Sequence, residues 1–318
     1  APRAEARVAV ARGDALPDFV LRHPDAGDIR PDLFAGRWWA LLLGDLHGCA
    51  RAARMLAALD GPIVDEADAA ASGLSLPPTW SAVPDPDRAV RARCRFPSAS
   101  TAALLITPAG RVAEAIDDVT AAPVAERFAM ARAAWKPGHP PLLTLPAAFE
   151  PSLCEALIRA WEAGPREDGR VTADDHPGGN SRVDHGIKRR TDHLLRDAAL
   201  VARIHDRLAR RVLPEMRRAF GYSALRCEGF RVGCYRADKA GEFRAHRDDA
   251  NPLTAGRRFA LSVNLQQGVY AGGALALPEY DLRFDAPTGD AVVYGAGVLH
   301  AVEPVTEGRR FALVGFFL

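Results

Sequence analysis

Six residues near the middle of the chain, Lys136 to Pro141 (KPGHPP), hold three prolines and a glycine, and neither a helix nor a strand can run through them. The 318 residues are therefore predicted to form two domains, 1–138 and 139–318, each long enough to bury its own core. Before the break, short apolar runs alternate with alanine-rich helical stretches: WWALLL (38–43), ARAARMLAAL (50–59), ALLITPAG (103–110) and AERFAMARAAW (125–135). Strand, helix, strand, helix is an α/β pattern. After the break, PLLTLPAAF reads as a strand and PSLCEALIRAWEAG as a helix, and apolar spacing predicts a second helix over TDHLLRDAALVARIHDRLARRVLPEM (191–216). From residue 225 onward, FRVGCY, RFALSVNL, GALALP, DAVVYGAG and RFALVGFF are separated by Gly, Pro and Asp, as in an antiparallel sandwich or barrel.

Composition narrows the function by exclusion. The formal charge is +1, so no global field recruits nucleic acid or an anionic membrane. Five dispersed cysteines with no CxxC pair argue against a disulfide scaffold or a structural zinc site, and for a reducing compartment. The longest apolar runs, 38–43 and 311–318, are strand-sized and no leader-like apolar segment opens the sequence, which together predict a cytoplasmic protein with no membrane span.

The sharpest local feature is His246-Arg247-Asp248, followed by His300 and Arg310. On a strand, residues two apart share a face, so His246 and Asp248 can reach one point while Arg247 points away. With His300 at the end of DAVVYGAGVLH they make two imidazoles and one carboxylate, a donor set that suits ferrous iron and leaves positions open. The same triplet could equally be a strand-end ion pair. His23-Pro24-Asp25 has the same spacing in a turn and is no candidate. Arg310 heads RFALVGFF, whose alternate positions Arg310, Ala312, Val314 and Phe316 form one face; a guanidinium on an inward face needs an anion, whereas one at a strand edge needs none.

Residues from about 140 to 318 resemble the iron and 2-oxoglutarate-dependent dioxygenases of the prolyl 4-hydroxylase-like branch, through CYRADKAGEFRAHRDDANP, RRFALSVNL, GGALALPEY and PTGDAVVYGAGVLHAVEPVTEGRRFALVGFF in that order. The resemblance implies an all-β double-stranded β-helix (jelly roll, cupin-like) with supporting helices. It implies Fe(II) on His246, Asp248 and His300, and the distal carboxylate of 2-oxoglutarate on Arg310. It places the hydroxyl of Tyr235 near that cosubstrate and Asn264 near its distal carboxylate, with Phe243 where some relatives carry tyrosine. The segment DHGIKRRTDHLL (184–195) resembles a mobile substrate-side strand, although a charged run is ordinarily a solvated face. The reaction implied is oxidative decarboxylation of 2-oxoglutarate by O2 coupled to hydroxylation of an unactivated carbon, with ascorbate as a candidate reductant. The substrate would be an amino acid, a prolyl or peptidyl residue, or a peptide-derived metabolite. Halogenation is disfavoured because Asp248 fills the carboxylate position.

GDALPDFVLRHPDAGDIRPDLFAGRWWALLL (13–43) and ALLITPAGRVAEAIDD (103–118) resemble a peroxiredoxin-type thioredoxin fold, an α/β domain in which Cys49, opening the helix CARAARMLAAL, stands about where the peroxidatic cysteine would. The framing proline and threonine are missing, so Cys49 is either a redox thiol or a plain helix-start residue in a domain kept for docking a protein partner. His47 reads as an exposed loop residue, and Cys94 as a candidate resolving thiol. Two other functions stay open: a thiol peroxidase with an auxiliary C-terminal domain, and a non-catalytic ligand-binding protein.

Overall fold

The computed structural model describes all residues except 1–8, 24–26, 66–75, 86, 97–99, 121–122, 173–180 and 225. Pro24 and Asp25 of the discounted triplet therefore lie outside the described residues. The chain divides into two compact units, Ala1–Pro137 and Gly138–Leu318.

In the first unit, five strands run in the order Trp80–Pro84, Gly61–Asp65, Trp39–Gly44, Ala102–Ile106, Val112–Ile116. The first three are parallel and the last two join antiparallel. Strand Trp39–Gly44 is buried throughout, as its unbroken apolar run requires when both faces are covered. Helices Leu46–Met55 and Val124–Ala134 bury one face of the sheet; helix Ala89–Cys94 and residues around Leu21 bury the other.

The second unit is a β-sandwich whose strands, apart from the hairpin Leu275–Leu277/Leu282–Phe284, alternate between two sheets. Arg231–Arg236, Phe259–Asn264, Ala291–Gly295 and Val305–Phe317 join the large sheet, while Phe243–His246, Leu275–Leu277, Leu282–Phe284 and His300–Val302 form the small one. All pairings are antiparallel, and this alternation is the winding of a double-stranded β-helix. Side-chain alternation then decides what faces where. Val232, Cys234, Phe311, Leu313 and Phe317 pack outward beneath helices Pro151–Ala163, Ala198–Arg207 and Leu213–Phe220. Their neighbours Arg231, Tyr235, Arg310, Ala312, Val314 and Phe316 turn inward and line the space between the sheets.

The helix predicted from residue 191 begins later. Thr191–Leu194 is a strand paired with Arg231–Arg236, and the helix opens at Ala198, where the Asp197 carboxylate accepts from the amides of Ala199 and Leu200. A good N-cap and a ladder of interstrand hydrogen bonds outweigh apolar spacing. The helix widens into a π-turn at Leu208–Val212 just before Pro214, whose missing N–H breaks the regular ladder.

Candidate metal centre

His246 ends one strand of the small sheet and His300 begins its neighbour, and the two pair directly in register. Their rings lie 4.2 Å apart. Asp248 is not on the strand, as expected from the sequence, but in the turn immediately after it, anchored by its amide to the carbonyl of Ala296. The turn nevertheless brings its carboxylate onto the same point, with Oδ1 3.6 Å from His246 Nε2 and Oδ2 3.4 Å from His300 Nε2. One donor atom from each residue falls within 4.8 Å of the other two.

The ring tautomers follow from the backbone. His246 Nδ1 lies 2.8 Å from the carbonyl of Arg244, and His300 Nδ1 3.0 Å from that of Val298. A carbonyl only accepts, so each Nδ1 holds the proton and each Nε2 presents a lone pair to the shared point. Burial and the neighbouring His246 lower His300 to about 4. Burial pushes Asp248 up, but His300 and His246 outweigh it and hold the carboxyl at about 2. Near neutral pH the set is thus one anion and a neutral imidazole in His300, the protonation state that a divalent ion requires. Two nitrogens, one carboxylate oxygen and an open side fit ferrous iron.

Two ion pairs brace this point. Arg247, which borders the cavity, grips Glu279 with both Nη atoms, and Glu279 also accepts from the amide of Leu299, one residue before His300. Arg257 holds Glu228 through two hydrogen bonds and donates to the carbonyl of Asp248 at 3.2 Å. Phe243 stacks on His246 with centroids 3.5 Å apart, and Tyr294 packs on His300.

The donors open into a cavity of about 490 Å³. Arg310 lines it, 6% exposed, with no hydrogen bond or ion pair to a carboxylate among the described residues. It pairs in register with Tyr235, and its guanidinium lies 5.6 Å from that ring. Arg309, pointing the other way, is exposed and pairs with Glu162. A buried, unpaired guanidinium facing a cavity is a receptor for a carboxylate.

Asn264 does something other than what was expected of it. Its amide donates to the carbonyls of Gln266 and Ala286 and accepts from Tyr270, which ties loops together and leaves nothing for a cosubstrate; it is not among the residues lining the cavity. Cys49 is also corrected. The helix opens at Leu46 with Asp45 as its cap, and the Cys49 amide is already bonded to the Asp45 carbonyl. The thiol is fully buried between helix and sheet, out of reach of a peroxide. Burial raises Cys94 to about 11, against the pull of Arg91, and His47 is exposed, but on the helix.

The sequence reading set 184–195 on the substrate side by resemblance alone and otherwise took its charges for a solvated face; the structure buries three of them. Lys188, Arg190 and Asp192 are all buried and all line the cavity, as do Ser262 and Tyr294. Asp192 accepts from Arg190 Nε at 2.5 Å and Nη2 at 2.8 Å, and Arg190 Nη1 donates to the Tyr235 hydroxyl. Gly233 makes the room, since a Cβ there would stand 2.7 Å from Arg190 Nε. The signal was present in the sequence: positions 188, 190 and 192 alternate as one face of an extended segment.

Fold and donor set together define a non-haem iron oxygenase built on a double-stranded β-helix. A model of the 2OG-Fe(II) oxygenase superfamily matches residues 230–318. A PKHD-type hydroxylase of Pseudomonas putida is 30% identical over 186 residues, which cover 54% of this chain and 75% of that protein. The chain belongs to the 2OG-Fe(II) oxygenase superfamily, and its C-terminal region is the oxygenase domain, with iron(II), 2-oxoglutarate and O2 as the family's cofactors. A PKHD-type hydroxylase of Maricaulis maris is 42% identical over 76 residues, 22% of this chain; the chain thus matches only about a third of that relative, 34% of its length. A solved prolyl-4-hydroxylase of Pseudomonas putida is 16% identical with a TM-score of 0.41, covering 56% of this chain and 92% of its own. Among the described residues no helix is long and apolar enough to cross a membrane.

Proposed function

We propose that the protein is a 2-oxoglutarate-dependent hydroxylase in which His246, Asp248 and His300 hold Fe(II) and Arg310 binds the distal carboxylate of the cosubstrate. The observation that carries this reading is the placement of the three donors and the unpaired Arg310 around one cavity. When bound, iron with 2-oxoglutarate and O2 supplies the oxidative decarboxylation and the hydroxylation of carbon. The protein supplies orientation. Arg310 and the Tyr235 hydroxyl grip one end of the cosubstrate, and Ala312, Val314 and Phe316 line the same wall. Burial and the charge of Asp248 keep the Tyr294 phenol protonated beside His300. The substrate proposed is an amino acid, a prolyl or peptidyl residue, or a peptide-derived metabolite, and ascorbate is a candidate reductant.

The first unit supports a thioredoxin-like reading through its connectivity. A parallel β-α-β pair, then an antiparallel hairpin, then a helix place the Trp39–Gly44 strand centrally. With Cys49 buried, its proposed role is docking a protein partner, not peroxide reduction. The cytoplasm is the proposed location.

The test is anaerobic addition of Fe(II) and then 2-oxoglutarate to the full chain. A visible metal-to-cosubstrate charge-transfer band, and succinate release on admitting O2, are expected. Absence of both in metal-loaded protein would remove the assignment.

A further inference from the structure

The wall that carries Lys188, Arg190 and Arg231 holds more positive charge than the family's cofactors neutralise. Arg247 and Arg257 also reach the cavity but are paired with Glu279 and Glu228. At the rim, Glu167 and Arg170 are both exposed and of opposite sign. Among the described residues, the remaining lining charges are four cations, Lys188, Arg190, Arg231 and Arg310, against two carboxylates, Asp192 and Asp248. An Fe(II) ion and a dianionic cosubstrate cancel, so with Lys188 protonated the described lining of the loaded cavity keeps an excess of two positive charges. Uncompensated buried charge is expensive, and a substrate is the one component not yet counted.

The geometry locates the excess. Asp192 is taken by Arg190 in a two-point hydrogen-bonded pair, while Lys188 Nζ stands 3.5 Å from Asp192 Oδ2 and 3.2 Å from the Arg170 carbonyl. Arg231 lines the same wall from the adjacent strand, and among the described residues no carboxylate lies within ion-pair distance of it. The Lys188 ammonium also sits 4.9 Å from the centre of the Phe243 ring, the ring that stacks on His246, so it lies two ring layers from the metal donors. The fold makes space for it: a Cβ on Gly169 would come within 2.6 Å of Lys188 Cε. Burial, reinforced by Arg190 and Arg231 against Asp192, lowers the ammonium to about 7, the state of a cation short of negative partners.

We infer that Lys188 and Arg231 form a subsite for a carboxylate of the substrate, so that the molecule hydroxylated carries a free carboxylate group. This rests on the oxygenase reading of the site. A free amino acid and the C-terminus of a peptide share that chemistry, whereas an internal residue of a protein lacks it.

The chain has only three lysines, Lys136, Lys188 and Lys239, which makes the subsite directly observable. Full-length protein loaded anaerobically with Fe(II) and 2-oxoglutarate is acetylated with acetic anhydride in the presence of N-acetyl amino acids or of their N-acetyl amides, whose blocked amines do not consume the reagent, and free L-amino acids are compared with both by calorimetric titration. Each lysine is then quantified by peptide mass spectrometry. At least one carboxylate-bearing compound is expected to slow acetylation of Lys188 several-fold while its amide does not, with Lys136 and Lys239 unchanged. Binding of the N-acetyl form as well as the free acid in the titration points to a peptide C-terminus; binding of the free acid alone points to an amino acid. If Lys188 proves unreactive, calorimetric titration of the same panels decides between carboxylate and amide. For the compound that protects or binds, Lys188→Met, which removes a buried charge partner, and Arg231→Met, which removes a half-buried one, are each expected to raise the substrate KM about tenfold or more, while the 2-oxoglutarate charge-transfer titration is unchanged. Carboxylates that protect and bind no better than their amides, or internal peptides turned over as well as free acids, would overturn the inference. Protection without a charge-transfer band would instead keep the anion subsite and remove the oxygenase reading.

Discussion

Arg190 donates a hydrogen bond to the hydroxyl of Tyr235 at 3.3 Å, and because a guanidinium has no lone pair to offer, the phenol oxygen must be the acceptor. The phenolic proton is therefore free to be given elsewhere, and the ring borders the cavity beside Arg310, itself only a donor. Two donors side by side ask for a carboxylate.

Tyr235→Phe is accordingly expected to weaken 2-oxoglutarate binding about tenfold, the size of one charge-assisted hydrogen bond, with the iron site intact. Gly233→Ala, which drives a methyl into the Arg190 guanidinium, should weaken it in the same direction. Anaerobic titration of the charge-transfer band measures both, and an unchanged affinity in Tyr235→Phe would contradict the orientation argued above.

Arg310→Met should cost far more than Arg309→Met. The first removes a buried cation facing the cosubstrate end of the cavity, worth about a hundredfold in affinity for a buried charge pair; the second removes only an exposed pair with Glu162. The same titration on both variants compares them, and equal losses would mean that the two side chains do not face opposite ways.

Metal affinity should fall in two grades. His246→Ala and His300→Ala remove a donor and are expected to abolish Fe(II) binding. Glu279→Gln keeps every donor but loosens the Arg247 brace between the two ligand-bearing segments, for an expected loss of about tenfold to a hundredfold. Calorimetry with Zn(II) or Fe(II) reads all three, with circular dichroism checking the fold.

Lys188 predicts a pH dependence. The groups facing it are Asp192, Arg190, Arg231, the Arg170 carbonyl and the Phe243 ring. In the free protein the ammonium is charged below about 7 and neutral above it, while a bound carboxylate favours the charged form. KM for a carboxylate substrate should rise as pH increases through about 7, and Lys188→Met should flatten the profile. The same group sets a stability trend. Between about 7 and the ordinary lysine value of 10.5 the unfolded chain holds the proton that the folded chain has lost, so this residue makes the fold progressively more stable as pH rises across that window.

Cys49 should resist thiol reagents in the native protein, and Cys49→Ser should leave peroxide consumption unchanged. Rapid labelling of Cys49 by a small disulfide reagent before unfolding would contradict its burial between helix and sheet.

The alternation of short runs after residue 225 made an antiparallel sandwich or barrel legible, because inward and outward residues follow the pleat from Arg310 to Phe317; its winding as a β-helix came only with the family resemblance. The convergence of His246, Asp248 and His300 was legible for the same reason, although Asp248 reaches the common point from a turn and not from the strand. The charged segment around Lys188 was not, because its burial depends on Gly169 and Gly233, residues distant from it in sequence that leave room for long side chains to lie flat. Thr191–Leu194 was misread as helix because its partner strand lies some forty residues further on, at Arg231–Cys234. The Asn264 assignment failed because a shared sheet face does not say which partner an amide chooses, and here three nearby loop groups reach it first.

The two carbonyls that hold Nδ1 of His246 and His300 have a consequence for assembly. Both rings are locked in orientation by the main chain itself, with their lone pairs already turned toward a common point, so the ion arrives at a finished socket and does not have to shape one. The apoprotein should consequently melt as a fully formed domain, with iron adding to its Tm by mass action alone.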